Sequence, residues 1–285
     1  ELTDILGITQ VLDIGGFIKK LLIGDETVGQ AALSRFFMLH VIFLPVTLMV
    51  LTGVHFWRIR KDGGISRPVE QNKEGKLYSW PVVMWAELGM LLLTVAALLI
   101  MAFLFDAPLR ERANPDFAEN PAKSPWYFLG IQELVSYSAF AGGVLIPVLF
   151  LVFLISIPYK DREDQNMGNW FSGTAGKKLT LQSLAFALIF TVLFVFILVR
   201  YGWFRDWFPD IPQLVIMLVN PATLSALFYI LWAVWIRRRT GSSRLSAIAL
   251  FTCVMTGFII YTAIGIWFRG PNWEFYWSSS QWPVF

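Results

Sequence analysis

Ser34-Arg-Phe-Phe-Met-Leu-His40-Val-Ile-Phe-Leu-Pro45-Val-Thr-Leu-Met-Val-Leu-Thr-Gly-Val-His55-Phe-Trp57 is the stretch that decides the fold. It carries one cation at its start and otherwise only apolar or small residues around two histidines. About 20 apolar residues cover the hydrocarbon core of a bilayer as a helix, so this stretch is long enough to cross. Five further stretches meet the same criterion: 79–105, 137–158, 180–200, 213–236 and 245–268. The expectation is an all-α, polytopic membrane bundle of about six transmembrane helices.

The composition of the 285 residues agrees. Hydrophobic residues make up 56% and charged residues only 15%, against about 25% charged in a soluble domain. Such apolar content excludes a disordered chain, and no basic stripe calls for nucleic acid. The lone cysteine, Cys253, excludes an internal disulfide and a CxxCH haem attachment.

Residues 1–33 differ from the spans. They mix short apolar groups with glycine and charge, as in Ile14-Gly15-Gly16-Phe17-Ile18-Lys19-Lys20. This pattern suits short helices lying in the interface on the outer face. The expected organisation is then 1–33 interfacial helices, 34–78 the histidine-bearing span with its cytoplasmic loop, 79–236 a central helical domain, and 237–285 an added span with an outer tail. The tail is aromatic, with Trp273, Phe275, Tyr276, Trp277 and Trp282, as expected of a membrane-interface belt.

Loop charge orients the chain. Loops 58–78, 159–179 and 237–244 hold fourteen Lys and Arg, whereas the segments on the opposite side hold seven including Lys19 and Lys20. Basic loops stay in the cytoplasm. Residues 1–33, 106–136, 201–212 and 269–285 are therefore expected outside, in a multi-pass protein of a bacterial cytoplasmic membrane.

His40 and His55 are the only two histidines, and both fall on the first span. Fifteen residues separate them, about 22 Å along an α-helix and within roughly 60° in azimuth. One helix face thus presents two imidazoles at opposite depths, too far apart to share one metal ion. Each could simply bond a neighbouring carbonyl. Ionisable groups inside membranes are nevertheless functional by default, and imidazole is a common axial ligand of haem. Two six-coordinate haems need four histidines, so two must come from another chain or from a segment upstream of Glu1. Pro45, five residues after His40, is expected to kink the helix.

The run Gln30 to His40, with Leu44-Pro45, Val54-His55-Phe56 and Ile59-Arg60-Lys61, resembles the fourth helix of cytochrome b, most closely the b6 type. Asn120-Pro-Ala-Lys-Ser-Pro-Trp126-Tyr-Phe-Leu-Gly-Ile-Gln-Glu133 resembles the segment of that family carrying Pro-Glu-Trp-Tyr at the quinol site, and Ile157-Pro158-Tyr159 is similar to the family too. The likeness runs over about residues 1–235, the later part resembling the C-terminal half called subunit IV.

The resemblance implies two haem b groups shared with a partner chain, and quinone or quinol as substrate. It makes His40 and His55 the metal ligands, the outer and inner haem respectively. Arg35 would pair with a haem propionate and Arg60 lie near the inner haem; each could equally be an interfacial cation. It implies catalytic roles for Trp126 and Tyr127. The family glutamate is replaced by Pro125, which leaves Glu133, two turns on, as the substitute proton acceptor. The implied partners are a cytochrome b N-terminal-half subunit with the other two ligands, a Rieske iron–sulfur protein and a cytochrome c subunit, in a dimeric quinol-oxidising complex inactive without them. A dihaem anchor feeding a peripheral oxidoreductase is the alternative, and a transporter with two core histidines a third.

Overall fold

The computed structural model describes residues 14–25, 29–63, 77–106, 119–163 and 169–283, and among them the chain is helical with no strand. It forms two compact units, one of residues 1–66 and 123–285 and one of 67–122.

In the first unit, helix α1 (Ile14–Ile23) is followed by α2 (Gln30–Lys61). α2 is not a uniform α-helix: over Leu39–Phe43 it widens, and the Leu44 N–H donates to the Leu39 carbonyl five residues back. Pro45 explains the widening. Its ring would collide with the carbonyl four residues earlier, and it has no N–H to give. The expected kink is thus a single wide turn, a form that recurs at functional sites, and His40 sits inside it.

In the second unit, α3 (Met84–Leu104) follows an irregular first turn at Ser79–Val83 and buries none of its residues.

The remaining helices belong to the first unit: α4 (Trp126–Tyr137), α5 (Ala141–Lys160), α6 (Thr174–Tyr201), α7 (Phe204–Trp207), α8 (Gln213–Leu218), α9 (Pro221–Thr240) and α10 (Ser243–Trp267). α5 also opens on a wide turn, with the Ile146 N–H on the Ala141 carbonyl ahead of Pro147. The 106–136 loop of the sequence reading ends in α4.

Among the described residues, five helical segments are long and apolar enough to cross a membrane: Gln30–Lys61, Ser79–Leu104, Ala141–Lys160, Thr174–Tyr201 and Ser243–Trp267. The sixth expected span, 213–236, is interrupted. Asn220 caps α9, accepting from Thr223 N at 3.1 Å and donating to Met217 O at 2.8 Å, and Pro221 opens the helix, so α8 stops short. Arg237, Arg238 and Arg239 also dilute its apolarity.

α9 still packs against both α6 and α10. Two core layers join α6, α9 and α10, Leu179 with Ile236 and Ala249 and then Ala187 with Tyr229 and Cys253, and a third joins α6 and α10, Val195 with Tyr261 and Ile264. The pairing makes α6 and α10 parallel and α9 antiparallel to both. Small residues such as Ala187 and Ala249 let these helices close up, which is how helices associate where lipid removes the hydrophobic drive. Buried polar groups are paired across the seam: Ser225 with Tyr261 at 3.0 Å, Trp232 Nε1 with Ser183 at 2.9 Å, and Thr191 with Tyr229.

One end of this bundle gathers α4, the 201–220 connection and the tail. The other gathers the end of α5 and the turn from α9 to α10, where Arg244 forks onto Asp161 at 2.7 and 3.2 Å. Arg244 holds the Asp161 carboxyl below its usual range, and the Ser242 hydroxyl does the same for Glu163.

Candidate functional site: two histidines on one span and an aromatic helix pinned by the tail

The residues expected to act fall in two places. The first is the open face of α2. His40 and His55 are both exposed in the isolated chain, and Ala32 is the one buried residue among the described positions of α2. Their α-helical offset is about 60°, and the wide turn takes back part of it, so the imidazoles share a face. Open space surrounds Gly53, two residues before His55. Among the described residues no three His, Cys, Asp or Glu side chains converge to hold a metal ion. Each histidine is therefore a single imidazole donor beside uncovered apolar surface. That suits an axial ligand to a flat macrocycle whose second ligand comes from elsewhere.

Arg35 is differently engaged. Its Nη1 donates to the carbonyls of Lys20, at 3.3 Å, and Leu21, tying α2 to the last turn of α1. A cation at a helix C-terminus completes carbonyls that the helix leaves free. Gly24 makes room for it: φ is +83° there, and a Cβ would stand 2.6 Å from Arg35 Nε. Arg35 also lines a groove of about 810 Å³ between α1 and α2, whose walls include Leu22, Met38 and Phe43. Arg60 is exposed, while its neighbour Arg58 pairs with Asp62 at 3.2 Å.

The second place is α4. Pro125 stands just before it, extended at ψ 149°, and its carbonyl accepts from Phe128 N at 2.8 Å. Proline suits a helix start because its missing N–H has no partner there anyway. Trp126 and Tyr127 are 68% and 53% exposed and meet edge to face at 5.7 Å. Tyr127 continues the ridge to Phe128 at 5.2 Å.

Glu133 lies seven residues past Trp126, about 10 Å along the helix, and is fully buried. Its Oε1 accepts from Arg269 Nη2 at 2.6 Å and from Tyr137 Oη at 2.6 Å; its Oε2 accepts from Arg269 Nε at 2.9 Å and from Trp273 Nε1 at 3.0 Å. Arg269 also donates to the Trp273 carbonyl at 2.8 Å. Burial alone would lower the Arg269 pKa, but the bonds to Glu133 outweigh it and raise the group above its ordinary value. The structure thus separates the expected catalytic residues. Trp126 and Tyr127 stand open at the start of α4, while Glu133 is sealed against α10 and the tail.

Sequence reasoning missed Arg269 and Trp273 as partners of Glu133. Trp273 was there only one of several belt aromatics, and the signal for Arg269 was its isolation as the tail's one basic residue.

The N-terminal cytochrome b/b6/petB family matches residues 4–113. A cytochrome bc complex cytochrome b subunit of Chlorobaculum thiosulfatiphilum is 27% identical over 158 residues, 52% of this chain and 37% of that protein. A cytochrome b6 of Prochlorococcus marinus strain MIT 9211 is 50% identical over 56 residues, 20% of this chain and 25% of that protein. The cytochrome b of Pantherophis bairdi is 30% identical over 159 residues, 53% of this chain and 42% of that protein. The chain thus aligns with only 25% to 42% of the length of these relatives. No solved structure matches. By the family match over residues 4–113 and by these relatives, the chain is similar to the cytochrome b/b6 family.

Proposed function

We propose that this chain is part of the b subunit of a quinol-oxidising cytochrome bc-type complex in a bacterial cytoplasmic membrane. The observation that carries the reading is the pair of single imidazoles on one open face of one span, at opposite depths. His40 and His55 would each supply one axial ligand to a haem b, stacked across the bilayer. The other two ligands would come from a cytochrome b N-terminal-half partner covering the same face. The haems, when bound, would supply one-electron transfer; the chain's own part would be to hold one imidazole for each, the two histidines being about 22 Å apart along the helix.

Trp126 and Tyr127 form the exposed ridge we assign to quinol, with Tyr127 offering a hydroxyl and Trp126 a flat apolar surface. A Rieske protein and a cytochrome c subunit would take the electron that does not cross. Glu133 can take the quinol's proton only if its clamp opens, because four donor groups already point at its oxygens. Arg60 is assigned to the inner haem's surroundings. Arg35 reaches a propionate only by leaving the α1 carbonyls it now holds.

The test is a reduced-minus-oxidised difference spectrum with haem stoichiometry on the purified complex. His40→Ala and His55→Ala should each remove one b-type haem and leave the other. Full haem content in either variant refutes the assignment, and a complex with no haem at all points to the transporter reading.

A further inference from the structure

The span α10 and the tail hold the helix to which we assign quinol. Leu129, Gly130 and Glu133, the buried positions of α4, share its inner face. That face meets α10 closely: a Cβ on Gly130 would stand 2.7 Å from Thr262 Oγ1, and one on Gly265 would stand 2.6 Å from Leu129. Ahead of α4, Lys123 Nζ donates to the Ile266 carbonyl at 3.0 Å, near the end of α10. Behind it, Arg269 closes on Glu133 two residues after α10 ends.

The tail is built to keep Arg269 there. Tyr276 N donates to Phe268 O at 2.8 Å and Gly270 N to Glu274 O at 3.0 Å, folding 269–276 back on itself. Phe268 stacks on Phe275 with ring centroids 5.3 Å apart and planes parallel. Trp273 serves the pair twice, with its carbonyl on Arg269 and its indole N–H on Glu133.

We propose that Arg269 is a positioning residue: through Glu133 the folded tail fixes α4, and so holds the Trp126–Tyr127 ridge in its exposed place. Arg269 touches no ridge residue. It acts on the ridge through the helix. The quinol part of this inference rests on the proposed function above; the mechanical part does not.

Both parts are tested on the whole purified complex. Amide hydrogen exchange is followed in the peptide spanning 119–137, and oxidation of a short-tailed quinol is measured over a range of concentrations. Variants are R269Q, E133Q, the double variant and W273F. Breaking a buried pair from one side leaves a stranded charge, whereas removing both partners is far milder. R269Q should speed exchange across 126–137 by about a hundred-fold. The double variant should recover to within about ten-fold of wild type, and W273F, which keeps the pair, should show the smallest change. Should R269Q fail to assemble, the double variant and W273F still report the order.

In quinol oxidation R269Q should raise KM more than it lowers kcat, because the ridge is displaced rather than removed. Wild-type exchange in R269Q overturns the inference. So does accelerated exchange with unaltered KM and kcat, which would detach the ridge from the clamp. If E133Q and the double variant lose turnover at wild-type exchange while R269Q keeps it, Glu133 is the proton acceptor and the positioning role falls. A wild-type complex that holds haem but oxidises no quinol refutes the functional reading alone, because exchange still decides the clamp.

Discussion

Glu133→Gln replaces one carboxylate oxygen by an amide NH2 and removes one charge, and the structure sets what that should cost. Four donors converge on the carboxylate: two from Arg269, one from Tyr137 and one from Trp273. A glutamine offers one oxygen with two lone pairs and turns two new donors on the rest. About two of the four donors lose their acceptor, at about 1–3 kcal/mol each. Arg269 meanwhile keeps its charge at 10% side-chain exposure, with the Trp273 carbonyl still accepting. The sum, about 2–6 kcal/mol, brackets the 3–5 kcal/mol typical of breaking a buried ion pair. Taking about 4 kcal/mol, the melting point should fall by roughly 8–16 °C. E133Q/R269Q should fall by less than half as much, because no charge is stranded. The assay is thermal unfolding of the purified complex, followed by tryptophan fluorescence for wild type, both single variants and the double. An E133Q variant melting within about 2 °C of wild type, where about 4 kcal/mol was expected, would show that Arg269 does not depend on this carboxylate.

Three other outcomes are expected. A Cβ on Gly142 would lie 2.2 Å from the Leu134 backbone, where neither side can give by a rotamer; Gly142→Ala should cost about 1–3 kcal/mol or more, and a melting point equal to wild type would refute the close packing of α4 on the start of α5. Cysteines at Arg162 and Ser278 should react with impermeant reagents from opposite sides of the membrane, Arg162 from the cytoplasm; labelling of both from one side would overturn the orientation. Asp161 and Glu163 have lowered pKa values in the folded chain, so the stability they add is complete above about pH 4.5, the upper edge of their unfolded range, and is lost as pH falls through their lowered folded values. Arg244→Gln should therefore flatten the difference in melting between pH 5 and pH 3.5, and an unchanged difference would place the acid sensitivity elsewhere.

The sequence carried the spans because a run of about 20 apolar residues is a property of the chain itself, and the segments 79–104 and 243–267 depart from the expected limits by at most two residues. It carried the histidine face for the same reason: a separation of 15 residues converts to depth and azimuth by helix geometry alone. It failed at 213–236, where hydropathy reads straight through Asn220-Pro221 and cannot register that the asparagine has become a cap. Pro45 signalled a distortion, but whether a helix answers proline by bending or by widening depends on its neighbouring turns, and here it widens.

The α4 site divides along the same line. Trp126 and Tyr127 were legible as a motif, and the fold leaves both exposed. Glu133 was legible as a carboxylate two turns on, but its state was not. Its partners are 4, 136 and 140 residues away, and only the fold-back of 269–276 over the end of α10 brings the distant two within reach. Composition and periodicity settle which segments are helices in lipid, because each helix satisfies its own backbone there. Which side chains meet between helices is settled by packing, so the chain alone determined where Glu133 sits along α4, and the tertiary structure decided that it is sealed by Arg269.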